Sequence, residues 1–241
     1  MTTLRVALLG ASGRMGQAID RLASDSSVSV VARCSQGDDL SAIVLAKPAV
    51  VIDFSSPEAT TAFAPLAAQT GISLVIGTTG LDEVATRALG DAAQRVAVFV
   101  ASNMSVGVYV LGELVARGAA MLGESFDIEI VEAHHKKKAD APSGTALSLL
   151  ERARSARETS VVIHGRSGRP GPRTATEIGV HAVRGGDVVG DHHVHFLGDG
   201  ERIELVHRAT NRDVFARGAL RAAHWVATKP AGRYTMADLV T

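Results

Sequence analysis

Short apolar runs recur through the first half of the chain, and most are followed by an amphipathic stretch. The runs are Leu4–Leu9, Val28–Ala32, Val50–Phe54, Leu74–Ile76 and Val96–Val100. Met15–Ala23, Pro57–Gln69 and Asp82–Gln94 lie between them with helix-like spacing. Runs this short and this uniformly apolar read as strands buried on both faces. Their alternation with helices predicts a parallel sheet, because parallel strands are joined by crossovers that cover both sides of it. Ligands of such sheets bind beyond the carboxyl ends of the strands. The loops Gly10–Gly16, Gly77–Gly80 and Ala101–Met104 fall at those ends.

The pattern changes once the next helical stretch, Val106–Leu122, is passed. Phe126–Ala133 reads as a strand, Ser143–Glu158 as a helix and Val161–His164 as a strand. Gly165–Thr176, GRSGRPGPRTAT, reads as a long mobile loop because Gly and Pro interrupt any regular element. Ile178–Arg184, Val188–Leu197 and Arg202–Ala209 follow as strands at hairpin-like spacing. Phe215–Thr228 is a closing helix with no strand of its own. Strands without helices between them predict a mixed or antiparallel sheet, and so a second domain of another type.

At 241 residues the chain has ample length for buried cores without cross-links. Lys plus Arg equals Asp plus Glu, at 25 each, which gives no overall pull toward nucleic acid or a membrane surface. Aromatic residues at 4% also disfavour nucleic-acid stacking, so Lys136–Lys138 and Arg166–Arg173 are not taken as an RNA or DNA surface. Cys34, the one cysteine, ends an apolar run and is expected to be a buried, inert thiol. No apolar run approaches a membrane span, and MTTLRVALLG is too short in its apolar part for a secretory leader. A soluble, cytoplasmic protein is expected.

Gly10-Ala11-Ser12-Gly13-Arg14-Met15-Gly16 follows the first strand and opens the first helix. Glycines there permit a tight turn and let a pyrophosphate approach the N–H groups of the helix start. An ordinary strand-to-helix turn is the competing interpretation. A dinucleotide site usually has an acid at the end of the second strand for the adenosine ribose. Here that strand runs Val31-Ala-Arg-Cys-Ser-Gln36, with Asp38 and Asp39 further along. Arg33, Ser35 and Gln36 are candidates to accommodate a 2′-phosphate. NADPH and NADH both remain open, with a lean toward using NADPH at least as well.

A second concentration of chemistry is Glu132-Ala-His-His-Lys-Lys-Lys-Ala-Asp-Ala-Pro-Ser-Gly-Thr145. Strand alternation puts Ile128, Ile130 and Glu132 on one face and turns His134 and His135 opposite ways. Lys138 lies four residues beyond His134, in a loop that can fold back. Asp140–Thr145 resembles a helix entry with Asp or Ser as cap and Pro142 near the first turn. The amides of Gly144 and Thr145, with the helix dipole, make a carboxylate cradle, and a histidine or lysine nearby is a plausible general acid. A solvated basic turn is the plain alternative.

This stretch resembles the signature of the bacterial 4-hydroxy-tetrahydrodipicolinate (dihydrodipicolinate) reductases, E-A-H-H-x-x-K-x-D-A-P-S-G-T-A, at every fixed position. The likeness continues through GASGRMG, VIDFSSPE at 51–58, VIGTTG at 75–80, ASNMSVGV at 101–108, VRGGDVVGDH at 183–192 and GERIELVHRATNRDVFARGA at 200–219. It implies a Rossmann-like dinucleotide-binding domain of residues 1–105 completed by 214–241. A smaller α+β domain of 106–213, with a mixed sheet, would bind substrate and form a homotetramer. It further implies NADPH- or NADH-dependent reduction of a small cyclic dicarboxylate in lysine and diaminopimelate synthesis.

On that resemblance, His134 is the proton donor or shuttle, Lys138 the other proton-handling group, and His135 a substrate contact. Gly144 and Thr145 would hold a carboxylate. Gly10, Ala11, Ser12, Gly13, Arg14, Met15, Gly77, Thr78, Thr79, Ala101, Ser102, Asn103 and Met104 would line the dinucleotide, with Arg212 and Phe215 approaching it. The chain departs from the pattern at the missing acid after the second strand and in a short Gly37–Ala49 segment.

His192, His193 and His195 raise a metal hypothesis, since alternate strand residues share a face. No cysteine or carboxylate of recognised spacing completes such a set, so no metal is expected. A non-enzymatic alternative is a nucleotide-sensing module that binds NAD(P) without turnover. The His134/Lys138 pair disfavours it, because a sensor has no need of a poised proton donor.

Overall fold

A computed structural model describes residues 3–157 and 159–241. Met1 and Thr2, the expected start of the first domain, and Glu158, the expected end of the 143–158 helix, lie outside the described residues. The chain divides into two compact units, the first running to Val106 and resuming over Asp213–Thr241, the second spanning Gly107–Arg212.

The first unit alternates β1 (Leu4–Leu9), α1 (Arg14–Ala23), β2 (Val28–Cys34), α2 (Ser41–Leu45), β3 (Val50–Asp53), α3 (Pro57–Thr70), β4 (Ser73–Ile76), α4 (Glu83–Ala92) and β5 (Ala97–Val100). Its strands pair in parallel in the order β11-β5-β4-β3-β1-β2, where β11 is Gly232–Tyr234. That last strand is a correction to the sequence expectation of a closing helix alone. After α7 (Asp213–Val226) three residues pair with β5 before α8 (Met236–Val240) ends the unit. A strand of Gly, Arg and Tyr carries no apolar run that would reveal it. The short 37–49 segment holds only the single-turn α2, whose Ile43 is fully buried.

Every residue of β3 is buried, as a strand covered on both faces requires. Ala7, Leu9, Val51, Leu74, Ile76 and Val98 pack with Phe63 and Ala67 of α3 and Leu89 of α4. Removing a ring as enclosed as Phe63, only 1% exposed, would cost about 3–5 kcal/mol. Ser56 caps α3 by accepting from the Ala59 N–H at 3.3 Å, with Pro57 in the first turn, and Gly71 ends it in the left-handed region. Cys34 is buried, and burial pushes its thiol up, as expected of an inert group.

The second unit contains α5 (Val106–Leu122), β6 (Asp127–His134), α6 (Gly144–Arg154), β7 (Val161–Ile163), β8 (Glu177–Arg184), β9 (Gly190–Gly198) and β10 (Glu201–Ala209). The sheet order is β10-β9-β6-β8-β7. It is mixed: β6 runs parallel to β8 and antiparallel to β9. The hairpin-like spacing is therefore right for β9 and β10 and wrong for β8 and β9, which are separated by β6. β6 takes the centre because its alternate residues Ile128, Ile130, Glu132 and His134 are all buried. Ile128, Ile130, Ile178, Val180, Val194 and Phe196 pack with Leu111 and Val115 of α5 and Leu149 of α6. Alternation sends Glu129, Val131, His181, His193 and His195 to the opposite face.

Two sequence expectations change here. Val106–Ser125 is long and apolar enough to cross a membrane by length and composition, at mean hydropathy 1.4. Its Leu111, Val115 and Ala119 are buried in this unit's core, and Glu113 pairs with Arg152 at 2.8 Å. The loop around Gly165–Thr176 has no regular element, but its arginines fasten it to the sheet. Arg166 makes two bonds to Glu129, at 2.9 and 3.0 Å, and Arg173 bonds both Glu129 and Asp127.

Candidate active site

The first unit carries two clefts at the carboxyl ends of its strands. One, of about 430 Å³, is lined by Gly13, Arg14, Met15, Phe54, Ser55, Gly77, Thr78, Thr79, Ser102, Asn103, Met104 and Phe215. The other, of about 630 Å³, lies along Gly10, Ser12, Gly13, Ser35–Asp38, Phe54–Ser56 and Glu58. Most loop residues singled out from sequence thus border one or the other. Ala11 and Ala101 do not; their N–H groups tie the loops to Cys34 O and Ile76 O, both at 3.0 Å.

The glycines have separate reasons. Gly10 sits at φ +86°, and a methyl there would run into the Phe54 carbonyl. At Gly16 it would strike the Gly10 carbonyl, so this third glycine lets α1 close onto the turn. Gly13 precedes α1 with no side-chain cap and no acid in the first turn, which leaves the positive end of the helix to a bound anion.

Asp53, absent from the sequence-level candidates, organises the floor of these clefts. It is 1% exposed at the end of β3 and accepts from the Ser55 N–H at 2.9 Å, Thr60 Oγ1 at 2.6 Å and Thr78 Oγ1 at 3.0 Å. One carboxyl so ties together the β3 end, the α3 start and the β4 loop. Burial pushes it up, against the pull of those hydroxyls. The available signal was an acid closing an apolar strand just ahead of two serines.

Asp38 borders the larger cleft, although its sequence position looked too distant, and its carboxylate accepts from the Ser35 N–H at 2.8 Å. Arg33 instead turns to α1 and makes a two-pronged bond to Asp20, at 2.6 and 2.9 Å. Ser35 Oγ accepts from the Ser12 N–H at 3.2 Å. Arg33, which the sequence offered with Ser35 and Gln36 for a 2′-phosphate, has its guanidinium fork on Asp20 at the surface of this structure.

In the second unit, β6 delivers Glu132 and His134 to one face, and His135 follows directly after its end. His134 Nδ1 lies 2.6 Å from Glu132 Oε2, and the two rings of His134 and His192 meet edge-to-face at 5.3 Å. Glu132 is fully buried and also accepts from the Ser143 N–H at 3.0 Å and from both ends of the Arg184 guanidinium at 2.7 and 2.8 Å. Burial pushes the Glu132 carboxyl up, but Arg184, His134 and the Ser143 amide outweigh it and hold it below the usual range. His192 goes the other way. Burial, then the nearby His134, push it down to about 4, so it is neutral at physiological pH.

Ser143 caps α6 through the Ala146 N–H at 3.2 Å and approaches His192 Nε2 at 3.3 Å. Gly144 and Thr145 form the first turn that this cap starts. Lys138 pairs with Asp140 at 2.8 Å, and its charge contributes to the lowering of His192. His135 Nε2 accepts from Arg212 at 2.9 Å. Gly185 and Val188 brace the strand end by hydrogen bonds to His134 O and the His135 N–H. Sequence reasoning missed Arg184, whose partner Glu132 is 52 residues away and leaves no local signal.

His193 and His195 stack on the open face at 6.1 Å, while His192 points inward. Among the described residues no group of three or more His, Cys, Asp or Glu is arranged to hold a metal ion.

Comparison with known proteins places this geometry in context. Residues 4–104 match the family described as dihydrodipicolinate reductase, N-terminus, and residues 107–240 match dihydrodipicolinate reductase, C-terminus. A 4-hydroxy-tetrahydrodipicolinate reductase of Myxococcus xanthus is 46% identical, over 98% of this chain and 97% of its own length. The same activity is named for a relative from Alkalilimnicola ehrlichii, 43% identical over 99% of both. A dihydrodipicolinate reductase from Paenisporosarcina sp. TG-14, solved with dipicolinate bound, shares the fold at TM-score 0.77 and 24% identity over all of both chains.

Proposed function

The chain belongs to the dihydrodipicolinate reductase family, and from that premise we propose how it reduces 4-hydroxy-tetrahydrodipicolinate in lysine and diaminopimelate synthesis. The first unit holds a nicotinamide dinucleotide, and the second holds the cyclic dicarboxylate and supplies a proton. The observation that carries this division is the Glu132–His134 pair at 2.6 Å in one unit, with a glycine-turn cleft in the other.

The first unit's residues fit a dinucleotide. Gly10 and Gly16 keep side chains off the turn, the uncapped α1 start faces a pyrophosphate, and Thr78 is held by Asp53 at the cleft floor. When bound, the nicotinamide supplies hydride. Asp38 and Glu58 give the larger cleft an acidic lining, and Arg33 is occupied by Asp20. A carboxylate accepts from a ribose hydroxyl and repels a 2′-phosphate, which supports NADH over NADPH. This reverses the lean drawn from sequence.

In the second unit, the α6 start at Gly144 and Thr145 binds one substrate carboxylate, and Lys138 and His135 serve the other end. The dipicolinate bound by the Paenisporosarcina relative is a ligand of this class. Loss of water from the hydroxylated substrate gives the conjugated ring. Hydride arriving on that ring leaves it electron-rich, and His134 delivers the proton that completes reduction, a contribution of about 10²–10⁴-fold. Lys138 shares the handling of charge and protons at that end.

Cytoplasmic residence fits the lone, buried thiol of Cys34. Assembly as a homotetramer through the open face of the second unit's sheet is part of the same reading. The test is an initial-rate assay on enzymatically generated substrate with each cofactor in turn. Oxidation of both cofactors, with the higher kcat/KM for NADH, is expected. Cofactor binding without oxidation would replace this reading with the sensor module.

A further inference from the structure

His134 has two ring nitrogens, and the fold treats them differently. Nδ1 faces Glu132, which is fully buried and receives four hydrogen bonds: two from Arg184, one from the Ser143 amide and one from His134 itself. A carboxylate held by a guanidinium fork is an acceptor only, so Nδ1 must carry hydrogen whether the ring is neutral or charged. Arg184 is fixed in turn by the Asp140 carbonyl at 2.7 Å, which ties the bracket to the loop ahead of α6.

Nε2 points at Gly190 of β9. A methyl built there would stand 3.0 Å from Nε2 and 3.5 Å from the adjacent ring carbon. Gly190 is not among the glycines of positive φ, so its backbone does not call for glycine. What the missing side chain provides is close approach: the ring edge with Nε2, the nitrogen that Glu132 leaves available, packs against the β9 backbone where a side chain would push it back. His192 forms a second wall at 5.3 Å and, being neutral, adds no competing acid.

We infer that Glu132 is a positioning residue that locks His134 with Nδ1–H inward and Nε2 as the proton-delivering atom, while Gly190 lets the ring sit against β9 in that pose. Arg184 acts one step further back, by keeping Glu132 ionised and in place. The inference rests on the reading of His134 as proton donor.

Nitrogen-15 NMR of histidine in the wild-type protein, with a His134→Gln spectrum to assign the signal, reads the tautomer directly. The Nδ1–H form is expected; a neutral His134 in the Nε2–H form overturns the inference before any variant at Glu132 is made. Steady-state kinetics follow on Glu132→Gln, Glu132→Asp and Gly190→Ala. A fall in kcat of about 10²-fold is expected for Glu132→Gln, with partial recovery in Glu132→Asp, where the charge is retained. For Gly190→Ala, kcat/KM should fall about 10-fold or more while dinucleotide affinity holds, since an interaction at the reacting atom is lost.

Gly190→Ala leaves the Glu132–Arg184 pair untouched and stands as the kinetic test if Glu132→Gln does not fold. Near-wild-type kcat in Glu132→Gln and Gly190→Ala, with His134→Gln slow, would refute the positioning role and leave the donor in place. Near-wild-type kcat in His134→Gln would instead refute the donor.

Discussion

On the proposed reading, His134 and Asp38 divide the work between single side chains. His134 is expected to govern turnover: His134→Gln should lower kcat by about 10²–10⁴-fold with little change in dinucleotide affinity, measured by steady-state kinetics and cofactor titration. Asp38 should govern cofactor choice. Asp38→Asn removes a charged acceptor from the larger cleft, a change of about 1.5–3 kcal/mol where it meets a ribose hydroxyl. The NADH KM should rise about 10-fold or more and the NADPH preference improve; equal KM values in variant and wild type would contradict it. The histidines were legible because EAHH sits at the end of a strand whose alternation separates them. Asp38 and Arg33 were not, since loop curvature and a partner on another element decide where each points.

Elements set the geometry in which those residues act. Ser143 caps α6, orders its first turn and touches His192, so Ser143→Ala should cost about 1 kcal/mol in urea unfolding and weaken substrate binding. The opposite face of the same sheet carries Glu129. Burial pushes its carboxyl up, but Arg166, His181 and Arg173 prevail and hold it at about 2. A carboxylate depressed in the folded state stabilises fully above its unfolded value near 4.5 and loses that contribution as pH falls toward 2. The loss is about 3 kcal/mol at most, and Glu129→Gln should flatten the urea midpoint across that window. The parallel strands were readable as apolar runs, whereas β11 was not, because pairing with β5 alone makes its three residues a strand. The insertion of β6 between β8 and β9 escaped notice for a related reason: spacing records which strands are consecutive, not which are neighbours.

At the scale of the whole molecule, the chain forms two units with separate cores, to which the proposed reading assigns the two halves of one reaction. The switch in sequence pattern was visible past Leu122, because strand–helix alternation gives way there to consecutive strands. The face of the second sheet opposite its core, with Val183 51% and Val206 40% exposed, is where the proposed tetramer should bring copies of the chain together. Sedimentation analysis should therefore find four chain masses, and charge placed at Val206 by Val206→Glu should shift the population to smaller species. The most direct measurement of the central claim is single-turnover oxidation of bound NADH by saturating substrate, in wild type and in His134→Gln. The account predicts unchanged NADH affinity and a rate about 10²–10⁴-fold slower in the variant. Equal rates would contradict it.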